Sequence, residues 1–210
     1  MGRSVEITII DYGRGNLRSV EKALQYLGYR TAVTSSPEEV AGASALVLPG
    51  VGAFDDAMRS LRRDGMDEAV REAVVSGRPF LGICLGYQLL FESSEEGGEE
   101  KGLAILTGRV KRFPEGPLKV PHMGWNSIEQ AKPSPLLQDL GKDPYCYFVH
   151  SYYVVPEDKA VVATTTNYAG CEFVSSIAAD NIFACQFHPE KSQTIGLRLL
   201  KNFAHCASCW

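Results

Sequence analysis

The chain has 210 residues, 45% of them hydrophobic and 22% charged, the balance of an ordinary globular protein with length for one full core. A net charge of −4 and a pI near 5.6 argue against broad nucleic-acid or anionic-membrane binding, which calls for clustered Lys and Arg. No apolar run approaches the roughly 20 residues that cross a bilayer, and the N-terminus has no signal-peptide layout. A cytoplasmic protein organised as a single domain over residues 1–210 is expected, and small polar substrates remain open.

In chain order, Val5 to Ile10 forms the first apolar strand and runs into Asp11-Tyr12-Gly13-Arg14-Gly15-Asn16. Leu17, Val20, Leu24 and Leu27 then recur at helical spacing. A second apolar strand, Ser44 to Pro49, closes on Gly50-Val51-Gly52; Phe54, Ala57, Met58 and Leu61 mark the next amphipathic helix. Met66, Ala69, Val70, Ala73 and Val74 mark another. Short apolar strands without polar alternation, separated by helices, predict an α/β fold with a mostly parallel central sheet covered on both faces. Ligands of such a sheet bind at the carboxyl ends of its strands.

Residues 80–92 read Phe-Leu-Gly-Ile-Cys-Leu-Gly-Tyr-Gln-Leu-Leu-Phe-Glu: a strand, one cysteine between glycines, and a helix-like stretch. Gly82-x-Cys84-x-Gly86 has the small-residue pattern of a nucleophile elbow. A helix N-terminus at this point favours the thiolate of Cys84. The competing reading is a buried inert cysteine; the glycine spacing and a downstream histidine favour the nucleophile. The other cysteines, 146, 171, 185, 206 and 209, are scattered as in a reducing compartment rather than paired as a disulfide framework. Cys206-Ala-Ser-Cys209 and His205 read as a loose C-terminal tail.

After Glu92 the texture changes. Ser93-Ser-Glu-Glu-Gly-Gly-Glu-Glu100 reads as a solvated acidic loop with one carboxylate able to face the site. Arg109 to Phe113, Tyr145 to Val155 and Val161 to Thr166 suggest a smaller antiparallel portion, and Pro133, Pro135 and Pro144 bracket a loop-rich interval. The chain returns to strand at Ile182 to Phe187 and closes with a helix on Ile195, Leu199, Leu200 and Phe203. Three glycine-rich turns, at 13–15, 50–52 and 82–86, all follow strands. The first lacks the third glycine of a dinucleotide fingerprint, so a close backbone approach explains it better than a nucleotide.

A cysteine nucleophile needs a base. His188 in Gln186-Phe-His188-Pro-Glu190 follows the last strand, and a two-residue step in extended chain puts His188 and Glu190 on one side. The carboxylate would then hold the imidazole in one tautomer. His122 and His150 are alternatives, with His150 at least as well explained as a satisfied core histidine.

Pro49-Gly-Val-Gly52, Gly82-Ile-Cys-Leu-Gly-Tyr-Gln88 and His188-Pro-Glu190, in this order and spacing, resemble class I glutamine amidotransferases over essentially the whole chain. Within that family Pro49 to Phe54, Pro121-His-Met-Gly-Trp-Asn126, Tyr147 to Tyr152 and His188 to Ser192 resemble the glutaminase subunits of imidazole glycerol phosphate synthase. The resemblance implies the flavodoxin-like fold of the class and a Cys84, His188, Glu190 triad that hydrolyses glutamine through a thioester. It implies oxyanion donors at Leu85 and in the Val51-Gly52 peptide, and substrate contacts from Gly52, Gln88, Glu96, Ser151 and Tyr152. It implies no cofactor or metal. The ammonia would pass to a (β/α)₈-barrel cyclase subunit in histidine biosynthesis, with Asn16, Trp125, Tyr147 and Lys191 at the interface and the Val51 peptide switched by the liganded partner. Two other readings are a glutaminase serving another synthase and a non-catalytic sensor with an inherited fold.

Overall fold

The computed structural model describes residues 5–116 and 119–209. Its elements are β1 (Glu6–Ile10), α1 (Leu17–Tyr26), β2 (Arg30–Thr34), α2 (Pro37–Gly42), β3 (Ala45–Gly50), α3 (Phe54–Arg63), α4 (Met66–Val75), β4 (Phe80–Cys84) and α5 (Leu85–Gln88). They continue with β5 (Ser93–Ser94), β6 (Gly108–Arg112), β7 (His122–Ser127), β8 (Glu129–Gln130), β9 (Tyr145–His150), β10 (Tyr152–Pro156), β11 (Val162–Tyr168), β12 (Cys171–Ala179), β13 (Ile182–Cys185) and α6 (Gln193–Cys209). No helix among the described residues is long and apolar enough to cross a membrane.

The large sheet runs in the order β2-β1-β3-β4-β13-β12-β10-β6-β5, with β11 on β12 and β8 on β11. From β2 to β13 every pairing is parallel; from β13 through β12 and β10 to β6 the pairings are antiparallel. A separate two-stranded ribbon joins β7 to β9. Alternation along the inner strands splits the core between two faces. Ala45 and Val47 of β3 pack with α1 and α6, whereas Leu46 and Leu48 pack with α2, α3 and α4. The α/β expectation, with its smaller antiparallel part in the second half, therefore agrees with the architecture.

Helix ends follow local chemistry. Ser36 caps α2 by accepting from the Glu39 N–H at 3.3 Å, with Pro37 in the first turn, as an N-cap residue and an early proline should. Acidic Asp55 and Asp56 open α3, and Arg62 and Arg63 close it, the order the helix dipole favours.

Two expectations need correction. Residues 205–209 are not a loose tail: α6 runs to Cys209, and Phe203, Ala204 and Ala207 continue its buried face. The helical spacing of Leu199, Leu200, Phe203, Ala204 and Ala207 keeps the helix anchored through the Cys206-x-x-Cys209 segment, and both of those thiols are free. The acidic stretch 93–100 is not wholly solvated either, because Ser94 is buried in β5 and pairs with Val110.

Candidate active site

The three glycine-rich turns lie at the carboxyl ends of β1, β3 and β4, adjacent strands of the parallel half. At the second and third of these turns opens a cavity of about 370 Å³ lined by Val51, Gly52, Cys84, Leu85, Gln88, Glu96, Pro121, Val149, His150, Ser151, Tyr152 and His188.

Cys84 ends β4 with φ 56 and ψ −109, a conformation a non-glycine residue adopts only when its surroundings enforce it, at a cost on the order of 1–3 kcal/mol. The enforcement comes from α5, which packs directly on β3. A Cβ on Gly86 would overlap the Leu48 carbonyl oxygen, so only glycine lets this turn sit so close. The helix-like stretch expected after Cys84 is a single turn, Leu85–Gln88. Its dipole is correspondingly small, and the groups that act on the thiol come from elsewhere.

Those groups arrive on the segment after β13. Gln186 and His188 stand two residues apart on one side of the chain. The Gln186 side-chain amide donates to Cys84 Sγ at 3.7 Å and accepts from Gln88 Nε2 at 2.9 Å. His188 Nδ1 lies 2.9 Å from Glu190 Oε1, both side chains being almost fully buried. The His188 backbone is fixed by its N–H donating to Tyr147 O at 2.9 Å and by its carbonyl accepting from the Ser192 hydroxyl at 2.7 Å. Burial by itself would lower the His188 pKa, but the interactions with Cys84 and Glu190 overcome it and raise the pKa from 6.5 to about 10. His188 Nε2 has no partner in good hydrogen-bond geometry, yet the Cys84 thiol is close enough to act on its proton affinity. At neutral pH the imidazolium is favoured, the charge that a neighbouring thiolate requires.

The other buried thiols are of a different kind. Burial pushes Cys146 up to about 12 and Cys185 well above its ordinary value, and neither lines the cavity. The two alternative histidines are likewise occupied. His150 Nδ1 is 2.8 Å from the Tyr152 carbonyl, which can only accept, so this nitrogen carries the proton. His150 Nε2 then accepts from His122 Nδ1 at 3.0 Å, and His122 Nε2 faces the Asn126 amide at 3.4 Å. Burial lowers His122 to about 4 and His150 to about 3, so both are neutral structural groups at neutral pH.

Every residue assigned from the sequence to the triad, oxyanion or substrate sets lies at this cavity, with Glu190 reaching it through His188. The Gln88 amide donates to both Tyr152 O, at 3.1 Å, and Gln186 Oε1, so its nitrogen is spent on holding the wall together. Of the interface residues, Trp125 is half-exposed and meets the Tyr147 ring edge to face at 6.1 Å, with Lys191 Nζ 6.0 Å from that ring. Asn16 begins α1 through its backbone carbonyl without a side-chain cap. Sequence reasoning missed Gln186, although its alternation with His188 was the available signal. It also missed Tyr12, whose buried hydroxyl rests against Gly50 without a partner and whose pKa is raised by burial and by the neighbouring Cys84.

Residues 8–206 match the family Glutamine amidotransferase class-I, so the elbow and its buried histidine belong to an enzyme of that class. Two solved structures share the fold over nearly their whole length. They are a putative GMP synthase protein from Thermoplasma acidophilum (TM-score 0.75, 20% identity, 100% of this chain and 96% of that one) and PurLQS from Thermotoga maritima (TM-score 0.76, 17% identity, 97% and 99%). Among sequence relatives, the imidazole glycerol phosphate synthase subunit HisH of Syntrophotalea carbinolica is 57% identical over 203 residues, 94% of this chain and 98% of that one. HisH of Aquifex aeolicus is 55% identical over 196 residues, 93% and 94% respectively. The chain belongs to this HisH family of glutamine amidotransferase subunits.

Proposed function

We propose that the chain hydrolyses glutamine at Cys84 and delivers the ammonia to a cyclase subunit that builds imidazole glycerol phosphate. The observation that carries this reading is the strained Cys84 elbow on the cavity wall beside the buried His188–Glu190 pair. The Cys84 thiolate attacks the side-chain amide carbon of glutamine, and the developing oxyanion is met by the N–H of Leu85 and one from the Val51-Gly52 peptide. His188 gives its proton to the departing nitrogen as the C–N bond breaks, leaving a γ-glutamyl thioester and free ammonia. Water then loses a proton to His188 and attacks the thioester; the C–S bond breaks and glutamate leaves. Glu190 holds His188 in the tautomer both steps need.

Substrate contacts divide by charge. Glu96 receives the α-ammonium on the oxygen it does not offer to the Phe54 N–H, and the backbone of Ser151 and Tyr152 receives the α-carboxylate. Gly52 and the Gln88 side-chain oxygen Oε1 face the reacting amide. Ammonia released into water would be protonated and lost as a nucleophile, which is why a synthase partner is part of the proposal; Asn16, Trp125, Tyr147 and Lys191 are its contacts.

In the assembled synthase, Cys84→Ala is expected to abolish glutamine-dependent product formation while leaving synthesis from added ammonium salt intact. Glutamine-dependent turnover that survives in this variant would refute the assignment of Cys84.

A further inference from the structure

We propose that Asp55 is a positioning residue for glutamine: it clasps the acidic loop and thereby fixes Glu96 at the cavity. The inference rests on the reading of Glu96 as the partner of the α-ammonium group. The start of α3 and the acidic loop grip each other reciprocally. Ala53 stands at the N-cap of α3 with no side chain able to accept the first N–H groups, and a helix start leaves those donors unsatisfied. Glu96 supplies the missing acceptor from another segment, its Oε2 taking the Phe54 N–H at 2.9 Å. In return, Asp55 Oδ2 accepts the Glu99 N–H at 3.2 Å and Oδ1 the Glu100 N–H at 3.4 Å.

The Asp55 carboxylate is buried, only 6% exposed, and its neighbour in the loop is shaped to fit it. A Cβ on Gly97 would overlap the carboxylate, and Gly97 has a φ of +80. By contrast, the surrounding pairs of Asp56, Glu99 and Glu100 all rest on the half-exposed Arg59, a class of contact that contributes little. Burial raises the Glu96 pKa, and the nearby Asp55 and Asp56 carboxylates push it the same way against the Phe54 bond. Two carboxylates this close repel, so the loop keeps its place because donors hold it there: the Glu99 and Glu100 N–H groups on Asp55, Arg62 on Glu100 and the Lys101 carbonyl, and the Glu96 N–H on Ser94 Oγ at 3.0 Å. The clasp also joins two parts of the site, since α3 begins two residues after Gly52. One end of glutamine is thus registered against the turn after β3 that meets the other.

The test measures glutamine kinetics in the assembled synthase, together with competitive inhibition by glutamate, which carries the α-ammonium, and by glutarate, which lacks it. Hydrogen exchange at the Glu99 and Glu100 amides is followed in parallel. Asp55→Asn, nearly isosteric, and Asp55→Ala are expected to raise KM for glutamine and Ki for glutamate about tenfold. They should leave kcat and the glutarate Ki within about twofold, and speed exchange at both amides. Equal weakening of glutamate and glutarate, or unchanged exchange, overturns the proposal. Glu96→Gln separates it from its premise. If Glu96→Gln leaves glutamate and glutarate affinities unaffected, the reading of Glu96 fails; if it weakens glutamate alone and the Asp55 variants do not, the clasp alone fails.

Discussion

At the scale of single residues the chemistry of the site turns on where protons sit. Glu190 and His188 are buried against each other at 2.9 Å, and a hydrogen bond to a charged group contributes about 1.5–3 kcal/mol. Glu190→Gln should lower kcat about 10³- to 10⁴-fold, as loss of the orienting carboxylate does in a catalytic triad. It should also change how stability depends on pH. The folded-state pKa of His188 is raised from 6.5 to about 10, so its contribution is fully present below pH 6.5 and is lost as pH rises through about 10. Urea unfolding should therefore show the largest gap between wild type and Glu190→Gln near pH 6, closing toward pH 10. A gap that widens with pH would contradict the protonated imidazole.

These residues were legible in unequal degree. Cys84, His188 and Glu190 announce themselves as candidates by residue type and spacing, because the side chains able to serve as nucleophile, base and orienting acid are a small chemical vocabulary. Gln186 does not, since a glutamine near a strand end has many uses and only the fold brings its amide to Cys84 Sγ. His122 and His150 show the reverse case. Their type suggests chemistry, but burial keeps both neutral, and the Tyr152 carbonyl and the Asn126 amide fix which ring nitrogens carry the protons.

At the scale of elements, strongly periodic segments were the readable ones. The helices on Leu17, Phe54 and Met66 and the strands at residues 5–10 and 44–49 follow their apolar patterns. β2 and α2 were not identified. β2 pairs only with β1 at the sheet edge and only Thr34 of it is buried, so its sequence lacks an apolar run. α2 is six residues long, with Val40 alone buried, too short to establish a period. The one-turn α5 was overextended for the opposite reason: Leu89, Leu90 and Phe91 are apolar because they are buried in the core, not because they continue a helix. Its packing gives a sharp test. Gly86→Ala drives a methyl group into the Leu48 carbonyl and should cost about 3 kcal/mol, which for a chain of this size lowers Tm by roughly 6–12 °C. Gly42→Ala, where nothing lies within 4 Å, should stay within about 0.5 kcal/mol. Similar melting of the two variants would refute the close approach of α5 to β3.

At the scale of the whole molecule, the sheet changes character where the site forms. The parallel half supplies three strand ends side by side. The antiparallel half brings Ser151 and Tyr152 across to the same cavity, while the β7–β9 ribbon carries Met123, Trp125 and Tyr145 with 62%, 47% and 52% of their surfaces exposed. Aromatic side chains such as Trp125 and Tyr145 dominate association energies where a partner buries them. Trp125→Ala should weaken binding of the cyclase partner by about 30-fold, close to 2 kcal/mol, read by titration calorimetry, and should reduce glutamine hydrolysis only where the partner is subsaturating. Unchanged affinity would remove Trp125 from the interface.

The sequence by itself determined the α/β class, the candidate cysteine and the order of the three motifs, because hydrophobic period and motif spacing are local properties of the chain. Tertiary structure decided which buried groups stand beside that cysteine. It set the His188 proton affinity and selected Glu96, of the several carboxylates in a mostly exposed acidic loop, to line the cavity. Those outcomes depend on distances between segments far apart in the chain: Asp55 and Glu99, Gln186 and Cys84, Gly86 and Leu48. Only the packed sheet fixes them.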